Sequence, residues 1–154
     1  MIDLYTDGSC PRNPGPGGWA FCAVGNGNEF TQSGADKDTT NNRMEMVAVI
    51  KGLEWLVREG YAGERVLVIS DSQYVIRGLD QWCHSWKRNG WRRKNENGVW
   101  VAIKNPDLWP RLHGLAHVTT RAEFKWQRGH VGHKYNELCD QLAGEAAWEL
   151  IERT

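Results

Sequence analysis

Four acidic residues stand at positions where neighbouring structural elements are predicted to meet. The alternation of apolar and polar residues in MIDLYTD predicts a strand that ends at Asp7, and Glu45 lies in the first turn of a long predicted helix. Asp71 follows the apolar run VLVIS, which indicates a buried strand, and Asp140 lies inside the predicted last helix. Ligands of open α/β sheets bind at the carboxyl ends of the strands. The sequence therefore predicts that these four carboxylates converge at one edge of a sheet.

A cluster of carboxylates repels itself unless a hard divalent cation neutralises it. Mg²⁺ and Mn²⁺ prefer carboxylate and water ligands, whereas zinc sites favour histidine and thiolate. The surroundings of Asp140 also indicate a cation, because its helical neighbours Ala143, Gly144 and Ala147 are small residues suited to close packing. An unpaired carboxylate is costly in such a place. The cluster therefore predicts bound metal and phosphoryl-transfer chemistry.

Three of the four acids also have a purely structural explanation. Asp7 precedes a glycine, which is a turn signal. Asn42, with Glu45 three residues later, fits a helix capping box. Asp71 could cap the helix that follows it. Taken singly, each of these explanations is the better one, and only the joint placement of the acids favours a metal site.

The elements that must hold these acids follow from the periodicity of the chain. Three strands, a helix, a strand, further helices, and a last strand and helix predict a mixed α/β sheet covered by helices. The predicted strands span residues 1–7, 19–24, 28–34, 66–70 and 124–128, the predicted helices span 42–59, 72–79, 82–87, 107–116 and 134–152, and residues 88–98 are a predicted polar loop.

Length and composition limit the class of protein. A chain of 154 residues with 40% apolar and 25% charged residues predicts one compact domain spanning residues 1–154 and argues against disorder or a coiled coil. The longest apolar run, 46–50, is too short to cross a membrane. The four cysteines form no CxxC pair, which indicates reduced thiols. We expect a cytoplasmic monomer without a membrane partner.

A neutral total charge conceals a basic segment. Residues 81–136 carry 11 Lys and Arg residues against 3 Asp and Glu residues. Within residues 82–104 the cations are interleaved with tryptophans, a combination that indicates contact with a nucleic-acid backbone. Trp86 and Trp91 are better explained as residues that pack this segment onto the core. The basic side chains there are Lys87, Arg88, Arg92, Arg93, Lys94 and Lys104.

Six blocks of the sequence occur in a familiar order: YTDGS (5–9), NPGPGGWA (13–20), TTNNRMEM (39–46), SDSQYV (70–75), QWCHSWKRNGW (81–91) and GHVGHKYNELCDQLA (129–143). Together they resemble the bacterial type of ribonuclease H from about residue 2 to about residue 147. The resemblance implies a ribonuclease H-like, five-stranded mixed sheet in the order 3-2-1-4-5, flanked by helices. It also implies hydrolysis of the RNA strand of RNA/DNA hybrids.

The resemblance further implies how the reaction proceeds. Asp7, Glu45, Asp71 and Asp140 match the metal-binding carboxylates of the family, and His130 matches a histidine that assists proton transfer or product release. Two Mg²⁺ ions, about 3.5 to 4 Å apart, would act on the scissile phosphate, with Mn²⁺ as an alternative metal. The expected products carry a 5′ phosphate and a 3′ hydroxyl.

Discrimination of hybrids requires contact with the sugars, since a minor groove lined with 2′-hydroxyls distinguishes RNA. By resemblance, Asn13, Asn41, Gln73 and the backbone near Cys10 contact this groove, and Thr40 holds a DNA phosphate. Residues 82–104 match a protruding substrate-binding segment of the family, which we call the handle. The handle residues expected at the substrate are Trp82, Lys87 and Arg88.

The sequence departs from the family pattern in two places. Pro11 and Arg12 replace a small or apolar pair, and the loop between Trp91 and Asn105 is about four residues longer than in the best-known bacterial relatives. Two other functions remain open, a hybrid-binding module that does not cleave and a resolvase- or integrase-type enzyme on the same sheet. Weaker alternatives are a dinucleotide site at Gly15, Gly17 and Ala20, and a zinc site at His130, His133 and Cys139.

Overall fold

A central five-stranded sheet organises the protein, and a computed structural model describes it over residues 1–128 and 133–153. The sheet has the order β3-β2-β1-β4-β7, which confirms the predicted 3-2-1-4-5 arrangement, since β7 is its fifth strand along the chain. Two short strands, β5 and β6, form a separate hairpin. The strands are β1 Ile2–Ser9, β2 Gly15–Gly25, β3 Asn28–Thr39, β4 Val66–Ser70, β5 Arg92–Lys94, β6 Trp100–Ala102 and β7 Ala122–Trp126.

The sheet is mixed because the chain reverses twice and then crosses over. β1 pairs antiparallel with β2, and β2 pairs antiparallel with β3. After a helical crossover, β4 pairs parallel with β1, and β7 later pairs parallel with β4. The run VLVIS lies in the interior of the sheet, as its continuous apolar character predicts.

Helices cover both faces of the sheet. The long first helix buries apolar residues such as Met46, Val49 and Leu53 together with Leu4 and Phe21 of the sheet. On the other face, the last helix buries Cys139 and Ala143 against Ala20 and Cys22. The helices are α1 Asn41–Arg58, α2 Gln73–Arg77, α3 Cys83–Arg88, α4 Leu108–Val118 and α5 Lys134–Arg153.

The last helix lies very close to β2. A side-chain carbon on Gly18 would lie 2.2 Å from the backbone oxygen of Ala143 and 2.8 Å from the backbone nitrogen of Ala147. Ala143 and Ala147 are fully buried. The small residues predicted to permit close packing near Asp140 therefore do so against the sheet.

The structure differs from the predicted elements in the handle, in the helices before it and in the bounds of several strands. The predicted polar loop at 88–98 contains β5, which forms a hairpin with β6 just beyond that loop, with Lys94 opposite Trp100. Helices α2 and α3 are joined by one wider π-helical turn, Gly78–Trp82, instead of a break. Gly78 lies there against the ring of Trp109, where a side-chain carbon would overlap it at 1.9 Å. β1, β2 and β3 are also longer than predicted, and β7 begins and ends two residues earlier.

Candidate active site

The parallel pairing of β1 and β4 brings Asp7 and Asp71 to the same edge of the sheet. Tyr5 of β1 pairs with Ile69 of β4, and Asp7 and Asp71 each lie two residues after this pair. Asp7 does not end its strand, since β1 continues to Ser9, and it is buried with only 7% of its surface exposed. Asp71 is half-buried. The two acids therefore meet because of the register of the parallel pair, although Asp7 lies within its strand and not at its end.

Glu45 reaches the same place because α1 approaches β1 closely. A side-chain carbon on Gly8 would lie 2.4 Å from the backbone nitrogen of Glu45. The capping-box explanation of Glu45 is wrong, because α1 begins at Asn41 and its N-cap is Thr40, whose hydroxyl accepts a hydrogen bond from the Arg43 amide. Glu45 is thus beyond the first turn, buried, and available to the cluster.

Three carboxylates form the centre of the site. Oxygens of Asp7, Glu45 and Asp71 all lie within 4.8 Å of one another. Asp140, on α5, is exposed and lies near enough to act on the charge of Asp7. Glu45 Oε2 is buried without a hydrogen-bond partner among the described residues. A buried carboxylate oxygen left in this state is the arrangement that a divalent cation would satisfy.

The electrostatics of the metal-free cluster favour its neutral forms. Burial, followed by repulsion from Asp71, raises the pKa of Asp7 to about 7, against a hydrogen bond with Glu45 that lowers it. Burial, then repulsion from Asp7 and Asp71, raises the pKa of Glu45 well above its ordinary value. A bound cation would stabilise the ionised forms of these carboxyl groups and lower their pKa values.

A chain of hydrogen bonds joins the residues predicted to contact the minor groove. The Cys10 amide donates to Asn41 Oδ1 at 3.1 Å, and the Asn41 amide donates to Asn13 Oδ1 at 3.0 Å. Thr40, the N-cap of α1, is the immediate neighbour of this chain. Gln73 is the exposed first residue of α2 and follows Asp71 by two positions. The structure therefore brings Cys10, Asn13, Thr40 and Asn41 together beside the carboxylates.

The tryptophans of the handle divide into two groups. Trp86 and Trp91 pack against the core, which confirms the packing explanation, and the Trp86 ring lies edge to face with Trp109 at 5.2 Å. Trp100 is 43% exposed, and the cations of Arg92 and Lys94 lie 5.9 and 5.4 Å from its ring. The hairpin thus presents an aromatic face flanked by two positive charges.

The predicted contact residues of the handle lie at its base. Trp82 is half-buried, and its ring centre is 5.7 Å from that of Trp86. Lys87 and Arg88 are exposed in the last turn of α3. The two cations are accessible to an approaching nucleic acid.

Two positioning contacts were not predicted from the sequence. Trp126 Nε1 donates to the backbone oxygen of Asp71 at 2.9 Å, which holds the turn that carries this acid. Arg43 forms an ion pair with Asp107 at 2.7 Å and so joins the start of α1 to α4. Neither contact has a signal in the sequence, because the partners are more than 50 positions apart.

The structure describes some of the residues of the two weaker alternatives, the dinucleotide site and the zinc site at His130, His133 and Cys139. Gly15, Gly17 and Ala20 all lie in the single strand β2, whereas a dinucleotide fingerprint must open a helix. Cys139 is fully buried, and its Sγ donates to the Tyr5 backbone oxygen at 3.5 Å. His130 lies outside the described residues, so its predicted part in catalysis stays a prediction.

Comparison with known proteins agrees with the fold. The family model described as RNase H matches residues 1–148. Ribonuclease H of Treponema pallidum subsp. pallidum is 45% identical over 166 residues, which cover 99% of this chain and 94% of the relative.

Two solved structures extend the comparison. LC9-RNase H1, a type 1 RNase H with the type 2 active-site motif, is 31% identical, with a TM-score of 0.77 and coverage of 96% of this chain and 72% of the other. LC11-RNase H1 in complex with an RNA/DNA hybrid is 24% identical and shares the fold, with a TM-score of 0.72 and coverage of 98% and 99%.

The family match and the curated relatives place this α/β protein among the nucleases of the hydrolase class. The chain belongs to the ribonuclease H family, in its bacterial type 1 form. Among the described residues, no helix is long and apolar enough to cross a membrane.

Proposed function

We propose that this protein hydrolyses internal phosphodiester bonds in the RNA strand of RNA/DNA hybrids, leaving a 5′ phosphate and a 3′ hydroxyl. The observation that carries the proposal is the convergence of Asp7, Glu45 and Asp71 within 4.8 Å. Family membership and the hybrid bound by LC11-RNase H1 support the choice of substrate.

The acidic cluster fits divalent cations, and we propose Mg²⁺, with Mn²⁺ as an alternative. Its all-oxygen donor set, and the unpartnered Glu45 Oε2 within the described part of the chain, suit hard cations. Asp7, Glu45, Asp71 and Asp140 would hold them. Two bound ions would supply Lewis-acid charge and an activated water for phosphodiester hydrolysis.

The chain's own contribution is position and charge, without a covalent nucleophile. Asp7 is central in the cluster, because Glu45, Asp71 and Asp140 all act on its charge. We expect it to be the least replaceable ligand. We propose that His130 moves a proton or assists product release without binding metal.

Recognition of the RNA strand would use the hydrogen-bonded chain of Cys10, Asn13 and Asn41, together with Gln73. The Oδ1 atoms of Asn13 and Asn41 already accept backbone amides, and these bonds fix the orientation of both side chains. Their Nδ2 groups are then the donors directed to 2′-hydroxyls. Rigid donors at a fixed spacing distinguish ribose from deoxyribose in a shallow minor groove.

Recognition of the DNA strand would use Thr40 and the handle. The Thr40 oxygen accepts a hydrogen bond from Arg43, so its own proton can be donated to a DNA phosphate. Trp82, Lys87 and Arg88 at the handle base would continue the contact along the backbone. The exposed Trp100, flanked by cations, extends this surface in the hairpin.

The experiment compares cleavage of an RNA/DNA hybrid, duplex DNA and duplex RNA of one sequence in Mg²⁺. We expect cleavage of the hybrid alone, and Asp7→Asn should abolish it while folding and hybrid binding persist. Binding without cleavage would favour the non-catalytic module, and cleavage of duplex DNA would favour a resolvase-type enzyme. Substantial residual activity in Asp7→Asn would overturn the site assignment.

The proposal includes a cytoplasmic protein that acts as a monomer. Light scattering after gel filtration should give a mass near 17.6 kDa. A stable dimer would contradict this part of the proposal and leave the hydrolytic reaction unaffected.

A further inference from the structure

Three metal-ligating side chains of a different kind meet beside the handle. Cys83 Sγ, a ring nitrogen of His84 and a ring nitrogen of His113 all lie within 4.8 Å of one another. Cys83 and His84 begin α3, whereas His113 lies in the middle of α4. The cluster therefore joins the helix that carries the basic handle residues to a helix of the body.

The three groups are already held in a compact arrangement. Cys83 is 2% exposed, and its thiol donates to the Leu79 backbone oxygen at 3.4 Å. The rings of His84 and His113 stand edge to face with centres 5.5 Å apart. The Trp91 ring also stands edge to face with His113, with centres 5.9 Å apart. His84 is exposed, whereas His113 is half-buried.

An open cavity adjoins the cluster and leaves space for an ion and a fourth ligand. Its volume is about 400 Å³, and Cys83, His84 and His113 line it together with Asp80 and His117. Asp80 lies one turn before Cys83, and His117 lies one turn after His113. Both carry groups that ligate metals, although neither belongs to the three ligand atoms that lie within 4.8 Å of one another.

We propose that Cys83, His84 and His113 form a binding site for a Zn²⁺ ion, separate from the acidic cluster. One thiolate and two imidazoles are the donors that zinc prefers, and Mg²⁺ does not. Tetrahedral zinc places such donor atoms about 3.3 to 3.6 Å apart, so the ligands must close slightly around the ion. The fourth position goes to water, Asp80 or His117.

Zinc binding releases one proton and involves no oxidation or reduction. The Cys83 thiol releases its proton to solvent as the bond between sulfur and Zn²⁺ forms, and both histidines bind in their neutral forms. Lys87 lies close enough to His113 to repel a cation, and the new thiolate charge and Asp80 oppose that effect. The metal undergoes no change in oxidation state.

The test is a Co²⁺ titration of the whole protein in excess Mg²⁺, which competes for oxygen ligands. We expect intense visible bands of tetrahedral Co²⁺ with thiolate-to-cobalt charge transfer, displaced by Zn²⁺. Cys83→Ser should remove the charge-transfer band, and His113→Asn should weaken binding at least tenfold. His133→Ala is the matched control outside the cavity and should leave the spectrum unchanged.

A variant at an exposed ligand keeps the result interpretable if the buried substitutions perturb folding. His84→Ala alters an exposed side chain, and we expect it to lose at least tenfold in affinity while its metal-free Tm stays unchanged. Zn²⁺ should raise the Tm of the natural protein and not that of His84→Ala. A weak octahedral Co²⁺ spectrum, or charge transfer that persists in Cys83→Ser, would overturn the proposal. Loss of binding in His133→Ala with retention in Cys83→Ser would also overturn it.

Discussion

Gly8 and Glu45 approach each other so closely that a side-chain carbon on Gly8 would lie 2.4 Å from the Glu45 backbone nitrogen. The same carbon would lie 2.8 Å from Cβ of Met44. β1 and α1 are therefore in backbone contact at the point where Asp7 and Glu45 present their carboxylates. The absence of a side chain at residue 8 sets the distance between these two acids.

Gly8→Ala should separate β1 from α1 and disrupt the acidic cluster. Overpacking of this kind costs about 1 to 3 kcal/mol in the free energy of unfolding, and misplaced carboxylates should reduce cleavage at least tenfold. Urea unfolding and a hybrid-cleavage assay measure the two effects. Gly114→Ala in α4 meets no atom within 4 Å and should be stabilising by about 0.5 to 1 kcal/mol. Wild-type stability and activity in Gly8→Ala would contradict the expectation.

The raised pKa of Asp7 predicts how the stability of the metal-free protein depends on pH. Its folded pKa of about 7 exceeds the ordinary 3.8, so the folded state binds the proton more tightly than the unfolded state. This contribution is fully present below about pH 4 and is lost as the pH rises towards 7, at about 1.4 kcal/mol per pH unit.

Thermal unfolding in EDTA between pH 4 and pH 8 measures this effect. Asp7→Asn should reduce the fall in Tm, because the substituted side chain does not titrate, and the fall that remains should come from Glu45, whose pKa is also raised. Added Mg²⁺ should reduce the fall in the natural protein, since a cation stabilises the ionised carboxylates. Equal slopes in the natural protein and Asp7→Asn would show that another group causes the dependence.

Asn41→Ala should weaken hybrid binding more than it slows the chemical step. The substitution removes the Nδ2 donor proposed for a 2′-hydroxyl, a loss of about 0.5 to 1.5 kcal/mol, which corresponds to about 2-fold to 13-fold in affinity. Loss of the acceptor of the partly buried Cys10 amide lowers the stability of the fold in addition. Fluorescence anisotropy with a labelled hybrid in Ca²⁺ measures binding without turnover. Asn28→Ala, at the opposite end of the long hairpin of β2 and β3, should bind as the natural protein does. Equal affinities of the two variants would exclude Asn41 from the groove.

His130→Ala should slow turnover by a factor on the order of 10² and leave metal affinity unchanged. The histidine is proposed to move a proton or assist product release, and a general acid or base contributes on this scale. Steady-state cleavage measures turnover, and calorimetric titration with Mg²⁺ measures metal binding. A loss of Mg²⁺ affinity in this variant would make His130 a ligand and contradict the proposal.

The mixed α/β sheet and the meeting of Asp7 with Asp71 could be predicted from local patterns in the sequence, whereas the strand order was implied only by the resemblance to bacterial ribonuclease H. VLVIS has the continuous apolar character of an interior strand, and acids after parallel strands share an edge. The long helix that carries Glu45 has a clear apolar face. These signals are local, so each could be recognised without knowledge of the rest of the fold.

The hairpin of the handle could not be predicted in this way. Arg92–Lys94 consists of three exposed cations, and its strand form depends on pairing with Trp100–Ala102 instead of on a buried face. The continuous helix from α2 to α3 likewise depends on Gly78 fitting against Trp109, a contact between residues 31 positions apart. Long-range contacts of this kind leave no periodic signal in the sequence.

The contact of α5 with β2 fixes where Asp140 is anchored. The backbone of Gly18 lies directly against the backbone of Ala143 and Ala147, so a side chain on residue 18 would collide with α5. Ala143 lies one helical turn after Asp140, on the same helix. A larger side chain at residue 18 should therefore push α5 away from the sheet and move the fourth acid with it.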